Sequence, residues 1–395
     1  MWRLIYLLIL TSQLCLAEKK MTSVLNPDFD LSQLRGSIFK LQVSSQKLDY
    51  KRPWQGSSLR QSSGTGFYIG NNRILTNAHV VSNAKNIMIQ RDRDDQLYHA
   101  YVEYIGHDCD LAIVVPVDTN ILRGIQKLSF GELPKLNSPV ATVGYPTGGE
   151  QLSVTKGVVS RVSNRFYVHS GFNSHVLIQI DSAINSGNSG GPVIQGSQVI
   201  GVAFQHLRAG ENIGYVIPTP VIERFLKDTQ NGSYDGHPLS GMKTLLWTTG
   251  SKAVQKYYSL KKSSGVQLAH LAWWAPGNQH LKPGDILLKV AGKTIGVDGK
   301  IDLFGERISF ETIYDLKQEG ETIDFEVSRN GQAKKVNFPI TKAPAHPFGP
   351  YEHRRGSQYH ILGGVVFTVL SLDWFATWGK NWSKSLPTFL KHLFY

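Results

Sequence analysis

Three short segments of the sequence carry the residue types that nucleophilic catalysis requires. A serine stands among glycines in Gly187-Asn188-Ser189-Gly190-Gly191-Pro192, a histidine ends Thr76-Asn77-Ala78-His79, and acidic residues flank a cysteine in Asp108-Cys109-Asp110. A serine hydroxyl is a weak nucleophile near neutral pH, so it needs a general base and donors that stabilise an oxyanion. Histidine can take up the proton and return it, and a carboxylate can hold the histidine in the right tautomer.

The order of these residues along the chain adds to the signal. The order His79, Asp110, Ser189 is that of chymotrypsin-type enzymes, and it differs from the subtilisin and α/β-hydrolase orders. Asp110 is the candidate acid because it directly precedes an apolar run, and Asp108 is the alternative. The neighbouring glycines let the backbone turn sharply, so that the amides of Gly187 and Ser189 can point at one oxyanion. Taken singly, each segment also fits a glycine-rich hairpin loop, a structural histidine or a solvated turn carboxylate.

The segments that must position these residues are mostly short strands. Apolar and polar residues alternate over 37–43, and two further runs flank the turn Gly70-Asn71-Asn72. Similar runs recur to about residue 217 between glycine-containing turns, which predicts a closed barrel or a sandwich. Thr219 as N-cap and Pro220 in the first turn then predict a helix to about Lys227.

A second unit is predicted over residues 239–341, after a linker-like stretch at 231–238. It contains a strand-like run at 265–271, the segment Leu281-Lys282-Pro283-Gly284-Asp285-Ile286 leading into another strand, a helical stretch at 309–318 and a hairpin around Asn330-Gly331. Beyond it, the apolar run 361–372 is too short to span a membrane and favours a buried strand pair.

The composition is that of a globular protein. Of the 395 residues, 41% are hydrophobic and 18% are charged, and the net charge is +12. Lys and Arg are scattered apart from short clusters at 261–262 and 354–355, which favours a solvated basic surface over a nucleic-acid-binding site. We therefore expect no nucleic-acid partner. Neither metal-ligand spacing nor a cofactor motif is evident, so we expect no metal and no cofactor.

The first seventeen residues have the pattern of a secretory signal peptide. Arg3 precedes the apolar run 4–10, and Ala17 precedes three charged residues. We predict cleavage after Ala17 and a flexible lead-in over residues 18–34. The apolar run is shorter than the roughly 20 residues that span a bilayer, so no stable span is expected after cleavage; a retained anchor is the alternative. Export implies a periplasmic or a secreted protein, with Cys109 as its one cysteine and no internal disulfide.

Together these motifs resemble the HtrA/Deg family of serine proteases. The resemblance rests on Gly64-Thr65-Gly66-Phe67 and on the segments that contain His79, Asp110 and Ser189. The segment that contains Asp285 resembles the PDZ domain that follows the protease domain in this family. Runs at 201–205, 211–220, 305–308 and 363–367 resemble the plant-type Deg subgroup, whose second, atypical PDZ domain begins near the last of these runs.

The resemblance implies a mainly β protein. We expect a trypsin-like double β-barrel protease domain over residues 35–230, a PDZ domain over 239–341 and a short, incomplete second PDZ-like segment over 342–395. It also implies that Ser189 is the nucleophile, His79 the general base and Asp110 its orienting partner. The amides of Gly187, Asn188 and Ser189 would form the oxyanion hole.

The expected substrate contacts follow from the same resemblance. The segment 205–212 is similar to a loop that shapes the substrate pocket in this family, so Phe204 and Gln205 are expected to contact substrate. The PDZ unit is expected to add a peptide C-terminus as an edge strand. The predicted docking edge consists of Gly265, Val266, Gln267 and Leu268, and the loop 258–264 would receive the terminal carboxylate.

By resemblance, the protein cleaves unfolded or misfolded proteins without ATP and forms a homotrimer or a higher homo-oligomer. Two other functions stay open. One is a protease-shaped chaperone or peptide-binding protein, and the other is a secreted protease with one specific target.

Overall fold

A computed structural model of the chain describes residues 34–149, 151–170, 173–206, 213–260, 263–342, 358–379 and 386–391. The predicted signal peptide and nearly all of the lead-in lie outside these ranges, as do residues 207–212 of the predicted pocket loop. Within the described ranges the chain is mainly β, and two closed six-stranded barrels confirm the predicted double β-barrel.

Residues 38–116 form the first barrel. Its elements are β1 Ile38–Ser45, β2 Arg60–Gly70, β3 Arg73–Thr76, α1 Ala78–Val81, β4 Ala84–Arg91, β5 Tyr98–Gly106 and β6 Leu111–Pro116. The antiparallel strands close in the order β1-β2-β3-β6-β5-β4. The alternation predicted at 37–43 is confirmed, because Phe39, Leu41 and Val43 are buried in the barrel core. Asn71 and Asn72 have positive φ in the β2–β3 turn, which suits a tight hairpin.

Residues 139–218 form the second barrel, and a helix follows it. The elements are β7 Pro139–Gly144, β8 Ser153–Phe166, β9 Ser174–Ile180, β10 Pro192–Gln195, β11 Gln198–His206, β12 Gly214–Pro218 and α2 Thr219–Asp228. The strands close in the order β10-β11-β12-β9-β8-β7. Val221, Ile222 and Phe225 of α2 are fully buried and join the core of this barrel. Amphipathic spacing therefore fixes the helix against the strands that precede it.

A third sheet forms the second unit. Its elements are β13 Met242–Leu245, α3 Lys252–Tyr257, β14 Val266–Leu271, β15 Ile286–Val290, β16 Lys293–Thr294, β17 Lys300–Leu303, β18 Glu306–Ser309, α4 Thr312–Asp315, β19 Thr322–Arg329 and β20 Gln332–Pro339. The main sheet has the order β13-β14-β15-β19-β20, with β16 paired to β15, and β17 and β18 form a separate hairpin. The helix predicted over 309–318 is only one turn long, because β18 extends to Ser309.

The connection between the two units is held in place. Tyr234 Oη donates to Asp108 Oδ1 at 2.6 Å, and the His237 backbone N–H donates to Asp108 Oδ2 at 2.8 Å. The Tyr234 ring also packs on Phe225, with centroids 5.1 Å apart. The stretch 231–238, which has the composition of a linker, is therefore attached to the turn that precedes β6.

The last described residues form β21 Tyr359–Leu362, β22 Val365–Thr368, α5 Leu372–Ala376 and α6 Thr388–Lys391. The strand pair predicted here is present as the β21–β22 hairpin. The expectation that it is buried is wrong, because Ile361, Leu362 and Phe367 are more than half exposed. In the described part of the chain, no helix combines the length and the apolar character needed to cross a membrane.

Candidate active site

His79 and Asp110 meet at the end of the first barrel. β3 pairs with β6, with Thr76 opposite Ala112, so that the residues just after β3 and just before β6 lie side by side. His79 Nδ1 is 2.7 Å from Asp110 Oδ2, and the His79 backbone N–H donates to Asp110 Oδ1 at 2.8 Å. Asn77 Nδ2 donates to the Asp110 carbonyl at 2.9 Å. The carboxylate is thus fixed in the plane that orients the imidazole.

The His79–Asp110 contact sets the charge of both groups. Burial opposes charging of the imidazole, but the negative charge and hydrogen bond of Asp110 outweigh it and raise the pKa of His79. Burial likewise opposes ionisation of Asp110, yet His79 lowers the pKa of that carboxyl. Asp110 therefore stays ionised while His79 is free to act as a base near neutral pH.

Asp108, the alternative acid, has a different role. It accepts hydrogen bonds from Tyr234, from the His237 backbone and from the Cys109 backbone. Asp110 is the residue that contacts His79. Its φ of 54° lies in the left-handed region, which aspartate tolerates better than most residues.

The loop around Ser189 needs its glycines. Gly187 and Gly190 have φ of 97° and 86°. A Cβ on Gly187 would lie 2.4 Å from the Tyr145 carbonyl oxygen, and one on Gly190 would lie 2.1 Å from that of Thr65. Any larger residue at either position would force the loop away from the neighbouring strands.

Two of the three predicted oxyanion-hole amides are available. Within the described residues, the Gly187 and Ser189 amides donate to no protein acceptor, whereas the Asn188 amide donates to the Asn185 carbonyl at 3.0 Å. The prediction that the Asn188 amide belongs to the oxyanion hole is therefore wrong. The remaining two amides lie on either side of Asn188, which is the arrangement that two converging donors require.

Ser189 and His79 are not yet joined. Ser189 Oγ donates to the Phe204 carbonyl at 3.4 Å, and no hydrogen bond links it to His79 among the described residues. Such bonds are often long or absent before substrate binds. To pass its proton to His79, Ser189 must therefore move closer to that ring.

Thr65 connects the parts of the site, and its only signal in the sequence is the segment Gly64-Thr65-Gly66. Thr65 Oγ1 donates to the Gly187 carbonyl at 2.8 Å and accepts from the Tyr145 amide at 2.9 Å. Its backbone N–H donates to the Ser189 carbonyl at 2.9 Å. A single buried threonine of the first barrel thus holds the Ser189 loop of the second.

A further histidine pair lies beside the general base. The His169 ring centroid is 6.1 Å from that of His79, and His169 Nε2 is 2.7 Å from His107 Nδ1. Burial lowers the pKa of His169. The ring therefore stays neutral at neutral pH and adds no positive charge that would compete with His79 for Asp110. The sequence motifs pointed to neither histidine.

The predicted substrate contacts have mixed outcomes. Phe204 is buried, with its ring 4.8 Å from that of Tyr167, so it can offer substrate its backbone but little of its side chain. Gln205 lies in β11, directly after the carbonyl that accepts from Ser189. Most of the loop that follows, residues 207–212, lies outside the described residues.

The predicted peptide-docking edge is wrong. β14 lies inside its sheet: Val266 pairs with Leu287 of β15, and Gln267 pairs with Leu245 of β13. Both sides of the strand are therefore already hydrogen-bonded, and Gly265 donates its amide to the Ile295 carbonyl. The free edges of this sheet belong to β13 and β20. Residues 261–262 of the predicted carboxylate loop lie outside the described ranges.

One buried group in the described chain contains metal-ligating residue types, namely His175, His237 and Asp315. The two Nδ1 atoms are 2.6 and 2.7 Å from Asp315 Oδ1. Ligands of a tetrahedral zinc ion lie about 3.3 Å from one another. The separations are those of hydrogen bonds, so this set does not fit a metal.

Comparisons with known proteins agree with this geometry. The family model described as a trypsin-like peptidase domain matches residues 64–202. Over 337 residues the chain is 36% identical to the putative mitochondrial protease Do-like 3 of Arabidopsis thaliana, covering 85% of this chain and 60% of that relative. It is also 36% identical over 339 residues to the putative protease Do-like 13 of the same plant, covering 85% of this chain and 68% of that relative.

The solved structures of the HtrA-type protease AlgW are similar in fold. The structure with a tripeptide has a TM-score of 0.59 at 22% identity and covers 79% of this chain and 95% of its own. The chain spans only about 60% of the length of the first curated relative it matches.

Proposed function

Because the chain belongs to the HtrA/Deg family of trypsin-like serine proteases, of which the Do-like proteases are members, we propose that it is a serine endopeptidase that degrades unfolded or misfolded proteins. The observation that carries this proposal is the His79–Asp110 hydrogen bond, together with a serine loop in which two amides donate to no acceptor among the described residues. Acyl transfer needs these parts and no others from the protein.

The proposed reaction has two stages. In the first, Ser189 Oγ loses its proton to His79 Nε2 and attacks the scissile carbonyl, while the Gly187 and Ser189 amides hold the resulting oxyanion. The imidazolium, stabilised by Asp110, then protonates the leaving amine and an acyl-enzyme remains. In the second stage, water attacks the ester with His79 again as base. Peptide hydrolysis is itself downhill, so ATP is not required.

The choice of unfolded substrates follows from where Ser189 lies. His79 and Asp110 come from the first barrel and Ser189 from the second, so a substrate must enter between two barrels as an extended segment. A folded protein rarely exposes such a segment. A protein with long unfolded stretches therefore meets this requirement best.

We further propose that the second unit is a PDZ domain that binds peptide C-termini. In the described part of the chain, no strand pairs with the outer side of β13, and Leu245, Leu246 and Trp247 are exposed beside that edge. Addition of a peptide strand there would bury this apolar surface.

Membership of the HtrA/Deg family also bears on where the protein acts and how it assembles. The pattern of residues 1–17 supports export, so we place the mature protein in the cell envelope, with secretion as the alternative. The Arabidopsis relative named above is described as mitochondrial. Mature protein that begins at Glu18, and a light-scattering mass of three chains or a multiple of three, are the expected results.

The chaperone alternative rests on one observation, the missing hydrogen bond between Ser189 and His79 in the described structure. A site that stays in this state would bind unfolded chains without cutting them. It is distinguished from the protease by the same assay.

The first test is degradation of reduced casein by the wild type, by Ser189→Ala and by Ser186→Ala. Ser186 is exposed three residues before Ser189. We expect Ser189→Ala to lower kcat by about six orders of magnitude, because the nucleophile is lost, whereas Ser186→Ala keeps near-wild-type activity.

Equal cleavage by wild type and Ser189→Ala would contradict the assignment. If neither protein cleaves casein, and both suppress aggregation of a heat-unfolded client, the chaperone function is the correct one. Cleavage of a single protein among many candidates would instead support a protease with one specific target.

A further inference from the structure

A buried cluster of ionisable groups lies where the second unit meets the catalytic turn. His175 is the second residue of β9, Asp315 ends α4, and Asp108 lies in the turn 107–110 that leads to Asp110. His175 Nδ1 is 2.6 Å from Asp315 Oδ1, and His175 Nε2 is 2.9 Å from the Asp108 carbonyl oxygen. One imidazole thus bridges the second unit and the turn.

The hydrogen bonds of His175 determine its protonation state. A carbonyl oxygen and a carboxylate oxygen can only accept hydrogen bonds. Both ring nitrogens of His175 must therefore carry a proton, and the ring is an imidazolium. Its side chain is only 2% exposed, so this charge is balanced by protein groups and not by water.

The neighbouring groups are arranged to hold this positive charge. Burial opposes it, but the charges and hydrogen bonds of Asp315 and Asp108 raise the pKa of His175. His237 shares Asp315 Oδ1 through its own Nδ1 at 2.7 Å. Other titratable or charged groups lie on the elements around the ring. They include Cys109 and Asp110 on the turn, Tyr167 before β9, Tyr234 on the connection between the units, and the Arg224–Asp228 pair on α2.

These other groups do not titrate near neutral pH. Burial raises the pKa of Cys109, Tyr167 and Tyr234 well above their ordinary values. Arg224 is a permanent cation that donates to the Gly236 carbonyl and forms an ion pair with Asp228. These groups therefore contribute no change of charge between neutral and mildly alkaline pH.

The turn that His175 contacts needs support from outside. Asp110 has a left-handed φ of 54°, which the turn must maintain at some energetic cost. Asp108 is held from three directions, by Tyr234, by the His237 backbone and, at its carbonyl, by His175. If His175 becomes neutral, it can donate to only one of its two acceptors.

We propose that His175 is a positioning residue, held as an imidazolium between Asp315 and the Asp108 carbonyl, through which the second unit supports the turn that carries Asp110. Loss of its proton releases either the second unit or the turn. The peptidase is then active only while this internal ion pair is intact.

The direction of the pH effect follows. The raised pKa of His175 means that the cluster stabilises the fold fully below the ordinary value of 6.5 and loses this contribution as the pH rises through the raised value. We expect kcat/KM for a small chromogenic peptide to have two limbs: loss of the His79 proton raises it, and loss of the His175 proton lowers it. The melting temperature should fall over the same alkaline interval.

Two variants test the assignment. Asp315→Asn keeps an acceptor oxygen but removes the negative charge that favours the imidazolium. The alkaline limb of the kcat/KM profile and the alkaline fall in melting temperature should therefore both move to lower pH by about one unit or more. The acid limb should not move. His175→Gln should have no alkaline limb and a plateau roughly ten- to a hundredfold lower in kcat/KM, because Asp110 is less well placed.

The matched control is Asp302→Asn, a strongly exposed aspartate on β17 of the same unit, which should leave both limbs unchanged. A wild type whose kcat/KM and melting temperature are both flat on the alkaline side would overturn the proposal even if neither cluster variant folds. So would an Asp315→Asn variant that moves the acid limb or neither limb. If purified wild type contains stoichiometric zinc and Asp315→Asn does not, a zinc ion occupies the position assigned to the His175 proton, and the proposal is wrong.

The kinetic readout rests on the proposed peptidase function, whereas the melting readout does not. If the wild type hydrolyses no peptide but its melting temperature still falls over the alkaline interval and shifts in Asp315→Asn, the proposed function fails and the imidazolium bridge stands. If the wild type hydrolyses the peptide normally and Asp315→Asn leaves the pH dependence of the melting temperature unchanged, the imidazolium bridge is rejected and the proposed peptidase function stands.

Discussion

At the scale of single residues, Thr65 is the side chain on which the two barrels depend. Its hydroxyl bonds the Gly187 carbonyl and the Tyr145 amide, and its carbonyl accepts from Thr76 Oγ1 at 2.7 Å. All of these groups are buried. Removing the hydroxyl therefore leaves a donor and an acceptor without partners in the interior.

We expect Thr65→Val to lower the free energy of unfolding by about 1 to 3 kcal/mol, because the shape is kept and only the hydrogen bonds are lost. kcat should fall more than KM rises, since the Gly187 carbonyl belongs to the peptide beside the oxyanion hole. Thermal unfolding and steady-state kinetics measure both. Thr65→Ser should keep most of the stability and most of the kcat of the wild type. A Thr65→Val protein with unchanged kcat would mean that the Ser189 loop keeps its conformation without the Thr65 hydroxyl.

The His79–Asp110 pair gives a second prediction. His79 acts as base only when neutral, and its pKa is raised above the ordinary 6.5, so the acid limb of kcat/KM lies above that pH. Asp110→Asn removes the charge that raises it. The acid limb should move to lower pH while kcat falls by about four orders of magnitude.

The measurement is a pH profile of kcat/KM with a peptide substrate. Asp95→Asn, at an exposed turn of the same barrel, is the control and should leave the limb in place. An Asp110→Asn limb that moves to higher pH would contradict the electrostatic account of His79.

How far the sequence predicts the site depends on what each residue must do. His79, Asp110 and Ser189 were candidates because acyl transfer demands those side chains, and the structure joins the first two. The Thr65–Gly187 bond was not, since its partners are 122 positions apart. The Asn188 amide was wrongly assigned because the loop uses it for its own turn, and no pattern of residue types reports which amides a loop keeps for itself.

At the scale of elements, the loop before β15 is fixed by one buried carboxylate. Asp285 accepts from the Lys282 amide at 2.9 Å and from Arg329 Nε and Nη2 at 2.7 Å each, and it is 1% exposed. This bidentate pair links the loop to the end of β19. The segment around Asp285 that resembles a PDZ motif is thus a structural clamp.

Arg329→Ala should lower the free energy of unfolding of the second unit by about 3 to 5 kcal/mol, because it leaves the buried carboxylate of Asp285 without its positively charged partner. The comparison variant is Lys289→Ala, which breaks the half-exposed pair with Glu326 on the same sheet and should cost under about 1 kcal/mol. Denaturant unfolding followed by circular dichroism distinguishes them. Equal effects of the two variants would show that burial of Asp285 does not decide its energetics.

Helix α2 shows where local patterns mislead. Its span agrees with the sequence, but Pro218 occupies the N-cap position and the Thr219 hydroxyl donates instead to the Ile200 carbonyl at 3.0 Å. The Thr219 hydroxyl therefore bonds to the Ile200 carbonyl, and it is not available to cap the first turn of the helix. The misplaced docking edge at β14 has a similar origin, because strand order in a sheet depends on pairings between distant residues.

At the scale of the whole molecule, the recurring alternation and glycine turns were enough to predict a mainly β chain, but they left a closed barrel and a sandwich both open, and the double barrel followed only from the family resemblance. The way in which the units meet was not predictable. His175, Asp315 and Asp108 are far apart in the chain, and the sequence motifs include Asp108 but neither His175 nor Asp315. Histidines and aspartates at such spacings are usually solvated side chains.

The division of the proposed triad between two barrels has a consequence for the stability of the protein against its own activity. Heating loosens interfaces before it melts closed cores, so the barrels should lose their mutual alignment while each is still folded. Cutting would then stop before the chain exposes long extended segments of its own. A population warmed toward its melting point would thus be protected from self-digestion, because each molecule loses its peptidase activity before its own chain becomes a substrate.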